Sequence, residues 1–135
     1  MPSSEEHQNK AVHNKEFLEE VPFPEKYADW TIVVCFYVAV HLADALLATD
    51  NEHPERHPDR MYHLQRIYRP QPGFPRFRRC YREIEHLAHT ARYSGQTIAP
   101  DEATSTSDDH LPAITKWIKQ QLKRKGFLRP TLSSA

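Results

Sequence analysis

The chain has 135 residues, no formal net charge at neutral pH, 39% apolar residues and two cysteines. A domain of this length buries roughly two-thirds of its unfolded surface, so it needs neither a metal nor a disulfide staple to fold. Cys35 and Cys80 lie far apart with no Cys-x-x-Cys spacing. With no signal-peptide pattern at the N-terminus, the expectation is a cytoplasmic protein with reduced thiols.

Ser3 followed by Glu6 is a capping-box pattern, and helix-favouring residues run from there to about Glu20. The stretch "PFPEKYAD" breaks that helix. From Trp30 to Ala48 the sequence "WTIVVCFYVAVHLADALLA" carries only Thr31, His41 and Asp44 as clearly polar residues. Its length would span a bilayer. A histidine and an aspartate in mid-run are costly in lipid, however, and no basic cluster anchors its ends. The expectation is a buried central helix and no membrane contact. "DRMYHLQRIY" is a short helix with Met61, Leu64, Ile67 and Tyr68 inward, closed by Pro70. From Arg76 to about Tyr93, Phe77, Tyr81, Ile84, Leu87, Ala88 and Ala91 recur at the helical period. "SGQTIAPDEATSTSDD" reads as a long polar loop. A last helix starts near Ser107 or Asp108, turns Leu111, Ile114, Trp117, Ile118 and Leu122 inward, and stops at Gly126. No strand alternation occurs. The predicted fold is all-α, an up-and-down bundle of four main helices plus one short helix. It forms a single domain over 1–128 with a frayed tail at 129–135.

The zero net charge hides a segregation. Residues 1–30 carry seven acids against three lysines, whereas 56–92 carry nine arginines against three acids. An arginine-rich middle suits an anionic partner, since guanidinium groups contact phosphate or carboxylate through two donors at once. A basic face that is merely solvated is the plainer alternative.

Three groups of residues could carry chemistry. His41 and Asp44 lie three apart on one helical face, where a carboxylate can fix the imidazole tautomer or the pair can simply set helix register. Within eleven residues, "HPERHPDRMYH" gathers His53, His57 and His63 with Arg56 and Arg60. His53 and His57 have the spacing of helical zinc ligands, but Pro54 and Pro58 disfavour helical dihedrals at both, and no third ligand is recognisably spaced. No metal and no cofactor are expected. Histidine and arginine together are instead what metal-free RNA cleavage needs: acid, base and a cation on the phosphorane. Arg92 and Tyr93 close the helix "YREIEHLAHTARY", from which Arg92 could reach the His41 and Asp44 face and neutralise the acid, a lone ion pair being structural more often than functional. On the same helix His86 and His89, three apart, offer a further pair of metal donors.

Together, "DWTIVVCFYVAVHLADALLA", "HPERHPDR" and "YREIEHLAHTARY" resemble a family of small bacterial and archaeal HEPN-like proteins. The matching positions are Asp29, Trp30, Phe36, Tyr37, His41 and Asp44, then His53, His57 and Arg60, then Tyr81, Ile84, Ala91, Arg92 and Tyr93. The resemblance spans about residues 10–95. It implies a helical bundle that forms a homodimer, with polar residues collected in the dimer cleft. Many such proteins are metal-independent ribonucleases of toxin–antitoxin or defence systems. Others bind nucleotides or a protein partner. The family's ribonuclease signature is an arginine, a polar residue and a histidine, with four to six residues between arginine and histidine. Arg56, His57 and His63 fit it, but before a short middle helix rather than at a late one, and Ala88 stands where a serine is usual. On this reading His57, His63, Arg56 and Arg60 are the catalytic candidates. His41, Asp44, His53, Arg92 and Tyr93 support them or bind phosphate. The alternative is a non-catalytic helical module that binds a nucleotide or a protein.

Overall fold

The computed structural model describes residues 1–20 and 26–135, and every described element is helical: an all-α bundle. Helix α1 spans Ser4–Glu20. The Ser3 hydroxyl accepts from the Glu6 N–H, and Glu6 reaches back to the Ser3 N–H, so the capping box satisfies two otherwise orphaned donors. The break expected at 22–29 falls partly outside the described residues.

Helix α2 spans Ala28–Ala48 and forms the axis of the bundle. Its apolar residues occur on all sides because α1, α4 and α6 surround it. By length and mean hydropathy (2.0) it is the one described helix that could cross a membrane, yet 72% of that window is buried within the protein. Asn51, at φ 59°, turns the chain out of α2, a conformation that asparagine tolerates better than most residues. Cys35 and Cys80 are both buried and free.

Helix α3 spans His57–Tyr68 and α4 spans Phe74–Tyr93. Contrary to expectation, His57 is helical despite the proline that follows it. Both residues lie in the first turn, where the missing N–H would have had no partner in any case. Gly73, at φ 82°, opens α4, and a Cβ there would stand 3.1 Å from the Trp117 ring. Phe77, Tyr81, Ile84, Leu87 and Ala88 are buried as the periodicity predicts, Phe74 joins them ahead of the predicted start, and Ala91 is only partly covered.

The region read as a loop is mostly helical. Helix α5 (Pro100–Ser105) runs through a π-helical turn at Thr106–His110 into α6 (Leu111–Lys125). Serine and threonine are poor helix formers, but Ile98, Ala103 and Thr106 are buried, and that packing outweighs the low propensity. Gly126, at φ 85°, stops α6 as expected. The tail is not frayed: α7 (Pro130–Ser133) inserts Leu132 into the core.

Gln8 holds that tail in place. Fully buried, it donates to the Phe127 carbonyl at 2.9 Å and accepts from the Arg129 N–H at 2.9 Å. Gln8→Ala leaves both backbone groups unsatisfied and should cost about 1–3 kcal/mol, read from the urea midpoint. An unchanged midpoint would mean that the tail contributes nothing to stability.

Candidate functional site

Asp44 sits one turn beyond His41 on α2 and is nearly inaccessible. Its partner is Arg60 of α3, not Arg92. Arg60 Nε donates to Oδ1 at 2.6 Å and Nη2 to Oδ2 at 3.2 Å, so two planar groups meet through two bonds. Burial is the largest single influence and works against the guanidinium charge, but the hydrogen bond to Asp44, the Asp44 charge and the Tyr81 hydroxyl together outweigh it and raise the Arg60 pKa. Arg92 is held elsewhere. Its Nε donates to the Ala88 carbonyl, Nη1 to the Tyr37 hydroxyl at 3.2 Å, and its guanidinium carbon lies 5.5 Å from the Phe36 ring centre.

Arg60 also fixes His57. Its Nη1 lies 2.8 Å from His57 Nδ1. A guanidinium only donates, so Nδ1 must accept and the neutral ring carries its proton on Nε2. Burial and then the Arg60 charge lower the His57 pKa. The imidazole also packs on Phe36, ring centres 5.0 Å apart. Tyr81 adds a hydroxyl that is buried near Arg60 without a hydrogen-bond partner in good geometry, and burial raises its pKa.

His41 does not bond Asp44. Its Nδ1 lies 3.1 Å from Nδ1 of His7 on α1. Only one proton fits between two such nitrogens. Burial lowers both pKa values, and the neighbouring ring lowers that of His41 further. With His57, three histidines thus resist protonation in the folded state more than in the unfolded chain. Their contribution to stability is complete above the unfolded pKa of about 6.5 and is lost as the pH falls through and below it. The urea midpoint should therefore drop between pH 7.5 and 5.5, and a flat profile would contradict the assignment.

The remaining candidates separate. Arg56 is exposed and paired with Asp59 at 3.1 Å. His63 lies on another face of α3, beside Arg66 and 3.6 Å from Glu52. His53 lies in the loop before α3. Tyr93 is 69% exposed at the end of α4. The structure therefore gathers Asp44, Arg60 and His57, places Arg92 beside them, and leaves Arg56 and His63 outside.

His57 and Arg92 line an open cleft of about 540 Å³ together with Phe36, Arg82, Glu85, His86 and His89. Of these, Arg82 carries no role in the sequence reading, and His86 and His89 figure there only as a possible pair of metal donors. A signal was present: Arg82, Glu83 and His89 form an arginine–polar–histidine set with six residues between arginine and histidine, on a late helix. Among the described residues, no three His, Cys, Asp or Glu gather closely enough to hold a metal ion. Comparison with family models, curated proteins and solved structures gave no match to this chain.

Proposed function

We propose that this cleft binds the RNA backbone and cleaves it without a metal ion, as the resemblance to HEPN-like proteins implies. The observation that supports this most is the convergence of His57, Arg82, His86, His89 and Arg92 on one open cleft. Cleavage of this kind has the 2′-hydroxyl attack the adjacent phosphorus while the 5′-oxygen leaves. One group removes a proton, another returns one, and donors stabilise the charge gathering on the phosphoryl oxygens.

His57 suits the last of these roles. With Nδ1 accepting from Arg60, it offers Nε2–H as a neutral donor and has no free lone pair with which to act as a base. Arg92 supplies the fixed positive charge. Proton transfer then falls to His86 and His89, both exposed on α4. Asp44 and Arg60 position His57 and do not themselves touch the RNA.

The Arg60–His57 bond also favours a second reading, because it removes the most enclosed imidazole of the cleft from acid–base work. In that case the chain is a non-catalytic module that binds the phosphate of a nucleotide, or a protein partner. Incubating the purified protein with single-stranded RNA in EDTA separates the two. Fragments ending in 2′,3′-cyclic phosphate are expected. RNA left intact from pH 6 to 8, with binding retained, would establish the module instead.

A further inference from the structure

Exposed aromatic rings adjoin the cleft. Tyr93 is 69% exposed and Tyr37 is 38% exposed, yet neither ring is loose. The Arg92 guanidinium lies 5.1 Å from the Tyr93 ring centre and 5.9 Å from that of Tyr37. The Tyr37 hydroxyl accepts from Arg92, and the His89 ring packs 5.0 Å from Tyr93. Each ring is thus braced by a residue of the cleft wall and keeps much of its surface open to water. Along α4, Arg79, Arg82, His86, His89 and Tyr93 recur every three or four residues and are all exposed. They form a stripe of about 20 Å at the helical rise.

We propose that Tyr93, with Tyr37 beside it, is a stacking platform for an unpaired base whose phosphate lies in the cleft. The ligand is therefore single-stranded RNA, because bases locked in a duplex cannot splay onto a ring. This rests on the cleft binding an RNA backbone. Charge favours this occupant over a second copy of the chain: α4 carries five arginines against two glutamates, and a two-fold interface would set that basic stripe against itself. The exposed ring stacks on any base, so the platform selects strandedness rather than sequence.

Fluorescence anisotropy in EDTA with a 2′-O-methyl oligonucleotide, which cannot be cut by its own 2′-oxygen, tests the platform apart from catalysis. The single strand should bind at least about tenfold more tightly than the same sequence in a duplex. Tyr93→Ala should weaken single-strand binding roughly 5- to 100-fold, the range that base–aromatic stacking supplies. Tyr93→Phe should recover most of it, and Tyr62→Ala, an equally exposed ring on α3, should change nothing. If Arg92→Ala weakens binding while Tyr93→Ala does not, the platform is overturned and the RNA cleft stands. If neither strand form binds, both fall. If Tyr93→Ala dissociates a dimer without altering RNA affinity, the rings are a self-interface and the platform is wrong.

Discussion

Arg60→Ala should cost about 3–5 kcal/mol of folding stability, the largest loss expected of any single replacement outside the apolar core. The Arg60 and Asp44 side chains are 5% and 11% exposed, so removing the cation leaves a carboxylate buried without compensation. The same replacement frees His57 Nδ1 and alters the tautomer that the cleft presents. Replacing both partners with apolar residues of similar size should restore much of the stability, because the penalty comes from the orphaned charge rather than from the lost attraction. Urea unfolding of Arg60→Ala and of Asp44→Leu/Arg60→Met measures both. A loss below about 1 kcal/mol for Arg60→Ala would show that water reaches Asp44 and that the pair positions nothing.

The second large effect concerns the proposed RNA cleavage. Arg92→Ala should lower RNA cleavage roughly 10²- to 10³-fold, the usual loss when a preorganised donor to the phosphorane is removed. Its effect on stability should be small, since the side chain is partly exposed and its charge is not buried against a carboxylate. Arg92→Lys should fail to rescue cleavage. The guanidinium lies among the Phe36, Tyr37 and Tyr93 rings, and an ammonium offers neither its planar face nor its paired donors. Single-turnover rates across pH 6–8 give the comparison. Protonation of His57 would place an N–H against Arg60, but its lowered pKa delays this, so loss of rate from that source should appear only below the ordinary histidine range. Cleavage within about threefold of wild type for Arg92→Ala would remove this residue from the mechanism.

Local pattern explains what could be read in advance. The capping box, the apolar run of α2, the periodicity of α4 and the glycine stop of α6 each act within a few residues, so the sequence displays them directly. Helix α5 escapes such reading because its Ser/Thr-rich composition resembles a loop, and only burial of Ala103 and Thr106 makes it helical. Contacts distant in sequence are the least legible. His7 meets His41 across 34 positions, and the choice of Arg60 over Arg92 as partner of Asp44 depends on where α3 crosses α2. The histidine–proline segment shows both sides of this. His57 and Arg60, neighbours in the sequence, meet through a hydrogen bond, but Arg56 and His63 turn outward to Asp59 and Glu52.

Histidine-resolved NMR tests the proposed RNA site most directly. Nine histidines are spread over the chain, and three of them, His57, His86 and His89, line the cleft. Titrating the uncleavable single strand should shift the ring signals of these three while those of His13 and His63 stay fixed. Shifts at His13 or His63 with none at His57, His86 and His89 would contradict an RNA site between α2, α3 and α4.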